Sequence, residues 1–308
     1  MTTLLYTHPA CLEHDPGPYH PESPARLQAV LAALETPEFA RLERREAPEA
    51  AIEDLTRVHP RAFVERLLAA VPESGHRGID ADTILSPASG RAALRAAGAV
   101  VAAVDAVVAG EADNAFCAVR PPGHHAEPGR AMGFCLFNNI AVGALRARDV
   151  HGLARVAVID FDVHHGNGTQ ARFAEDASLF YGSTHQFPLY PGTGAASETG
   201  VGNIVNVPLR PMSGSREFRL GMTRTILPAL DAFRPEMVFI SAGFDAHRND
   251  PLAQLALEDA DYTWVTEQLL GIARQHAKGR VVAALEGGYD LAALAASAAA
   301  HLRVLMSI

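Results

Sequence analysis

Short apolar runs alternate with longer stretches of helical apolar spacing from one end of the chain to the other. The runs 4–7, 115–119, 156–159, 178–183, 204–207, 237–241 and 281–285 are rich in β-branched or aliphatic residues and predict buried strands. Spacing of three and four predicts helices over 25–34, 60–70, 91–109, 138–148, 168–173, 260–275 and 291–306. A further helix from 216 is predicted to stop at Pro228. Between them lie a Pro/His-rich loop (8–24), a Gly- and Asp-containing surface loop (74–89) and a Gly/Pro loop (185–194). Strands that alternate with helices predict a mostly parallel sheet flanked by helices, a three-layer α/β/α arrangement. No Ser- or Pro-rich linker and no repeat interrupts the pattern, so a single domain over 1–308 is expected.

Composition narrows the class. Hydrophobic residues make up 48% and charged residues 20% of 308, the balance of a packed globular chain. A formal net charge of −9 argues against a sequence-independent grip on nucleic acid or on an anionic membrane. The longest apolar stretch, 96–109, carries Asp105 and is short for a bilayer span. Cys11, Cys117 and Cys135 form no CxxC pair and no disulfide framework. The first residues lack the basic and apolar regions of a secretory signal, so a reducing, cytoplasmic setting is expected.

The chemistry sits where strands end. The run 156–159 opens into Asp160-Phe-Asp162-Val-His164-His165, and three other strands end at Gly123-His124-His125, Asp245-Ala-His247 and Gly287-Gly288-Tyr289. In a parallel sheet these ends share one edge, where open α/β sheets bind ligands. Asp162, His164 and Asp245 supply three donors, the number a catalytic zinc takes while keeping a position open. Asp245 alone fits a helix cap equally well. His124 and His125 follow a rigid Pro-Pro-Gly turn and suit proton transfer, with Asp160 and Asn167 as the nearest partners to orient them. They also suit a second metal ligand. Tyr289 offers a phenol that can stabilise an oxyanion.

Taken in order, Pro121-Pro-Gly-His-His, Gly133-Phe-Cys-Leu-Phe-Asn-Asn139, Asp160-Phe-Asp-Val-His-His-Gly-Asn-Gly-Thr-Gln170, Tyr190-Pro-Gly-Thr-Gly194, Ser241-Ala-Gly-Phe-Asp245 and Glu286-Gly-Gly-Tyr289 resemble the histone deacetylase family, in its class II-like branch. The likeness runs from about His20 to Tyr289. It implies the arginase/deacetylase fold, a catalytic zinc on Asp162, His164 and Asp245, and hydrolysis of an acyl-lysine or a related N-acyl amine. It further implies His125 as general base and then acid, with His124 as its electrostatic partner held by Asp160, and Asn167 facing His125. Tyr289 would polarise the substrate carbonyl. Phe134 and Tyr190 would wall the channel, the Gly133 carbonyl would receive an amide N–H, and Arg26 would stand near an acetate exit. Asp82 would hold the substrate backbone at the rim, with Asp80 as the competing choice. Potassium is implied near Asp160, Ser183 and Thr184, and near Phe173, Asp176 and Leu179.

Two positions refine this expectation. Relatives that carry His in place of the tyrosine deacetylate poorly, and this chain keeps Tyr289. Relatives that prefer acetylpolyamines place Glu seven residues after the second zinc aspartate, where this chain has Leu252. The expected partner is therefore an acyl-lysine peptide or protein, or a small N-acyl amine, with a homo-oligomer left open. The alternatives are an acetylpolyamine amidohydrolase, a dinuclear manganese ureohydrolase of the same fold, and a catalytically silent acyl-lysine binder.

Overall fold

The structure, a computed structural model, describes residues 2–307. Its strands are β1 (Thr3–Thr7), β2 (Glu43–Glu46), β3 (Arg77–Gly78), β4 (Ile84–Leu85), β5 (Asn114–Cys117), β6 (Val156–Asp160), β7 (Leu179–Gln186), β8 (Ile204–Leu209), β9 (Met237–Ala242) and β10 (Val281–Leu285). Eight of them form one sheet in the order β2-β1-β5-β10-β9-β6-β7-β8, and every pairing in it is parallel. Strands β5, β6, β7, β9 and β10 are buried at every residue, which is why β6, β9 and β10 read as nearly continuous apolar runs rather than as alternating ones, while β7 turns polar after Tyr181.

Helices cover the sheet in two groups. Ser89–Ala109 packs on Asn139–Asp149, while Leu291–Met306 packs on both Pro24–Ala33 and Asp259–His276. Ser89–Ala109 is a 21-residue helix, longer than the apolar stretch suggested and long enough by length and composition to cross a membrane. In this fold 67% of its apolar window is buried.

Three local features differ from the expectation. β2 is Glu-Arg-Arg-Glu, mostly exposed, at the edge of the sheet; charge protects an edge from pairing further but erases the apolar signal of a strand. The loop expected over 74–89 contains the small antiparallel pair β3–β4, whose turn carries Asp80 and Asp82. The helix from 215 does not stop at Pro228. It widens into a π-turn at Met222–Ile226 and resumes over Leu227–Phe233, so Pro228 falls in the first turn of the resumed helix, where its missing N–H is tolerated.

The strand order positions the site. From β5 the chain skips to β6, leaving a gap that β10 and β9 later fill. Asp160 is in register with Ser241 on one side and Ser183 on the other, and Leu285 lies beside Ala242. The loops leaving β5, β6, β9 and β10 therefore emerge side by side at one edge, the crevice where doubly wound sheets bind ligands.

Candidate active site

Asp162, His164 and Asp245 converge at that edge, with one ligand atom from each lying within 4.8 Å of the others. His164 Nδ1 is 3.1 Å from Asp162 Oδ1 and 3.1 Å from Asp245 Oδ2. The main chain holds the carboxylates in place: Gly287 N donates to Asp162 Oδ2 at 2.8 Å and Val163 N to Asp245 Oδ1 at 2.8 Å. Side-chain-free neighbours are required here, since a Cβ on Gly287 would come within 2.0 Å of Asp245 Oδ2, and one on Gly243 within 2.0 Å of Asp162 Oδ2.

Two buried carboxylates this close repel each other. Burial, with the neighbouring Asp162 charge added, pushes the Asp245 carboxyl up to about 7. Burial opposes the charged form of His164, yet Asp162 and Asp245 outweigh it and carry the imidazole up to about 10. Two carboxylates and one imidazole, dry and convergent, are a donor set that fits a divalent cation such as zinc. Among the described residues this is the one such group of three or more. His247, two residues past Asp245, turns away: its Nδ1 accepts from Asn249 N at 3.2 Å, and its Nε2 is 3.9 Å from Asp259. Asp250, the next carboxylate on that loop, accepts from the Leu252 and Tyr289 backbone N–H groups and is not one of the grouped donors.

The two adjacent histidines are driven apart in basicity. His124 Nδ1 lies 3.0 Å from Asp160 Oδ2, and Tyr181 Oη donates to the same oxygen at 3.0 Å. Burial works against the His124 imidazolium, but Asp160, Asp162 and Glu286 raise it well above its ordinary range. His125 goes the other way: burial first, then the His124 and His164 charges, hold it well below that range. Its Nδ1 is 2.8 Å from Asn167 Oδ1, and Asn167 Nδ2 donates to Glu127 Oε1 at 2.8 Å. With the amide turned that way, Nδ1 of His125 carries the proton and Nε2 is left as a free base.

Above these residues opens a pocket of about 220 Å³ lined by Asp82, His125, Gly133, Phe134, His164, Leu189, Tyr190, Leu252 and Tyr289. Tyr190 meets His125 edge-on at 5.1 Å, and Phe134 meets Tyr289 at 6.0 Å. Burial keeps the Tyr289 phenol protonated well above its usual range, with Arg26 opposing. Arg26 lies beneath, its Cζ 4.8 Å from the Tyr289 ring, and donates to the Gly288 and Glu286 carbonyls and to Glu22. Asp82 Oδ1 accepts from Gly133 N at 3.1 Å, whereas Asp80 pairs with Arg130 and does not line the pocket.

The residues singled out for potassium divide into two groups. Asp160, Ser183 and Thr184 are buried on adjacent strands behind the pocket. Phe173, Asp176 and Leu179 lie away from it, and their carbonyls accept from Asn203 Nδ2. Several residues at the site were not singled out in advance. Glu286, pushed up to about 7 by burial, accepts from Gly123 N and His124 N. Asp250 accepts from Leu252 N at 2.9 Å and Tyr289 N at 2.7 Å. Glu22 joins Arg26 to Arg120. A buried strand ending in Glu is a readable signal for the first; nothing local marks the other two.

Residues 20–305 match the family described as Histone deacetylase domain. The chain belongs to the histone deacetylase family. Histone deacetylase 14, chloroplastic, of Arabidopsis thaliana is 40% identical to it over 98% of this chain and 76% of its own length. A histone deacetylase-like amidohydrolase of Pseudomonas aeruginosa is 41% identical over 94% of this chain and 82% of its own. The crystal structure of the HDA15 HD domain matches with a TM-score of 0.94 at 37% identity, covering 99% of this chain and 88% of that one. This histone deacetylase family member is accordingly a hydrolase of the deacetylase type with the arginase/deacetylase fold.

Proposed function

We propose that the chain is a zinc-dependent deacylase whose preferred substrate is an acyl-lysine side chain in a peptide or protein. The observation that carries this reading is the pocket itself: apolar walls of Phe134, Leu189, Tyr190 and Leu252 lead down to His125, His164 and Tyr289. A four-carbon stem is matched by such walls, and Leu252 sets an apolar side chain, not a carboxylate, at its place in the wall, so a second cation finds no partner there.

Asp162, His164 and Asp245 would hold the metal, which when bound supplies a Lewis acid that polarises an amide carbonyl and lowers the pKa of water toward about 7. His125 Nε2 takes the proton from the attacking water and returns it to the leaving amine. His124, charged and held by Asp160, stabilises negative charge that develops nearby. Tyr289 donates its phenolic hydrogen to the substrate oxygen. Asp82 stands at the mouth, where a substrate backbone N–H would reach it. Behind the pocket, the buried Asp160 carboxylate beside Ser183 and Thr184 suits a monovalent cation. Three buried, unpaired cysteines agree with a reducing cytoplasm as the compartment.

Asp82 also favours a second reading, an acetylpolyamine substrate, because its carboxylate lies among the pocket-lining groups. A panel of acetyl-, propionyl- and longer acyl-lysine peptides with acetylputrescine, compared by kcat/KM, separates the two. Acyl-lysine peptides are expected to lead; a strong preference for acetylputrescine would reverse the assignment. In the same assay His125→Ala should abolish turnover while the protein still carries one equivalent of metal.

A further inference from the structure

Three main-chain carbonyls turn toward one point at the N-terminal end of β7. Phe173 ends the helix Asn167–Phe173, Asp176 lies in the turn after it, and Leu179 begins β7. Asn203 Nδ2 stands at that point, 2.8 Å from the Phe173 oxygen, 3.0 Å from that of Asp176 and 2.7 Å from that of Leu179. The Asn203 side chain is buried, 5% exposed. Its other end is pinned as well, since Oδ1 accepts from Val201 N at 3.1 Å.

These three carbonyls belong to the residues near which the family resemblance implies a potassium ion, and the groups present do not fit one. An ion at the shared point would overlap Nδ2. Turning the amide over, so that Oδ1 joined the carbonyls as a ligand, would set Nδ2 against the Val201 N–H, donor against donor. We infer that the Asn203 amide replaces a monovalent cation in this turn. An amide NH₂ presents positive charge to carbonyl oxygens much as a cation does, but it is tethered to the chain and independent of ionic conditions. Two amide hydrogens serve three acceptors, and Phe173 and Asp176 also receive the backbone N–H groups of Asp176 and Leu179. The device ties the helix end to β7, the strand whose Tyr181 hydroxyl holds Asp160 and Gly166. This inference does not rest on the substrate assignment, and neither of its readouts is activity.

The first test uses crystals of the wild-type protein equilibrated with rubidium chloride and measured for anomalous scattering. No peak is expected among the three carbonyls, and a peak there overturns the inference. The second compares melting of the wild type and Asn203→Ala across potassium chloride, with choline chloride holding ionic strength constant. The variant should melt lower in choline and regain roughly 2–3 °C more than the wild type as potassium rises, because the vacated carbonyls then take an ion. A variant whose potassium response equals that of the wild type also overturns it. Should Asn203→Ala fail to fold, the rubidium experiment decides alone.

Discussion

In the proposed mechanism Tyr289 and Asn167 each reach the reacting groups through one hydrogen bond, and each can be tested at that bond, although Asn167 also donates to Glu127. Tyr289 points a protonated phenol into the pocket where negative charge would develop on the substrate oxygen. Tyr289→Phe should lower kcat by roughly 10²–10³ with little change in KM, because the bond strengthens toward the transition state. Steady-state kinetics on an acetyl-lysine peptide measures it, and an unchanged kcat would remove the phenol from the mechanism. Asn167 accepts from a neutral His125. Asn167→Asp would put a carboxylate beside that imidazole, in addition to Glu127, and oppose the effect of burial, His124 and His164. The His125 pKa should rise by about one unit or more. Since the base must be unprotonated, the acid limb of kcat/KM should move to higher pH by the same amount, as a pH–rate profile would show. Both residues were readable from their motifs. Asp250 was not, because its work is to accept from a backbone N–H of a loop distant in sequence. Glu286, although it follows a buried strand and opens a motif, gave no sign that it accepts from Gly123 N and His124 N.

Each site loop follows a different strand, so the geometry depends on ties between loops. Asp250 is such a tie: one oxygen holds Leu252 in the channel wall, and the other holds Tyr289 at its floor. Asp250→Asn keeps the shape but faces two N–H donors with one acceptor and one donor. A loss of roughly tenfold in kcat is expected, the scale of one hydrogen bond. In a Tyr289→Phe background the same substitution should cost little more, because both changes act on one phenol. Additive losses in that double-mutant cycle would mean that Asp250 acts elsewhere. Among elements, legibility followed burial. Fully buried strands such as β5 and β6 were visible as apolar runs, whereas β2 carries charges at the edge and left no strand signal in the sequence. Pro228 was misleading for a related reason: a π-turn, invisible in residue spacing, restarts the helix just before it.

At the scale of the whole molecule, the packed interior stores several neutral histidines. Burial pushes His59 and His185 down to about 4 and His301 down to about 3. His59 shows why: Nδ1 faces the Pro128 carbonyl and Nε2 accepts from Asn138 N, an arrangement that only the neutral ring satisfies. The unfolded chain takes up protons near 6.5 while the folded chain does not. This stability is therefore complete above about 6.5 and is lost as pH falls toward 4. Glu286, pushed up to about 7 by burial, runs the opposite way, so the net slope is a difference. His59→Gln isolates one group. Between pH 6.5 and 4, the slope of unfolding free energy against pH should fall by about one proton relative to the wild type. Denaturant unfolding at several pH values measures it; parallel curves would show that His59 does not titrate this way.

The alternation of apolar runs and amphipathic helices was enough to announce a parallel α/β sheet, because strands covered on both faces must be apolar throughout. The acids and imidazoles after those runs were equally legible, since residues of that kind rarely end strands without chemistry to do. Which of them meet was a matter of strand order. β9 and β10 return late in the chain to fill the gap between β5 and β6, and that return brings Asp245 and Gly287 against Asp162. Spacing along a chain carries no information about such a return. The same holds for Asn203, which lies 24 residues beyond Leu179 in the chain and only 2.7 Å from its carbonyl in space.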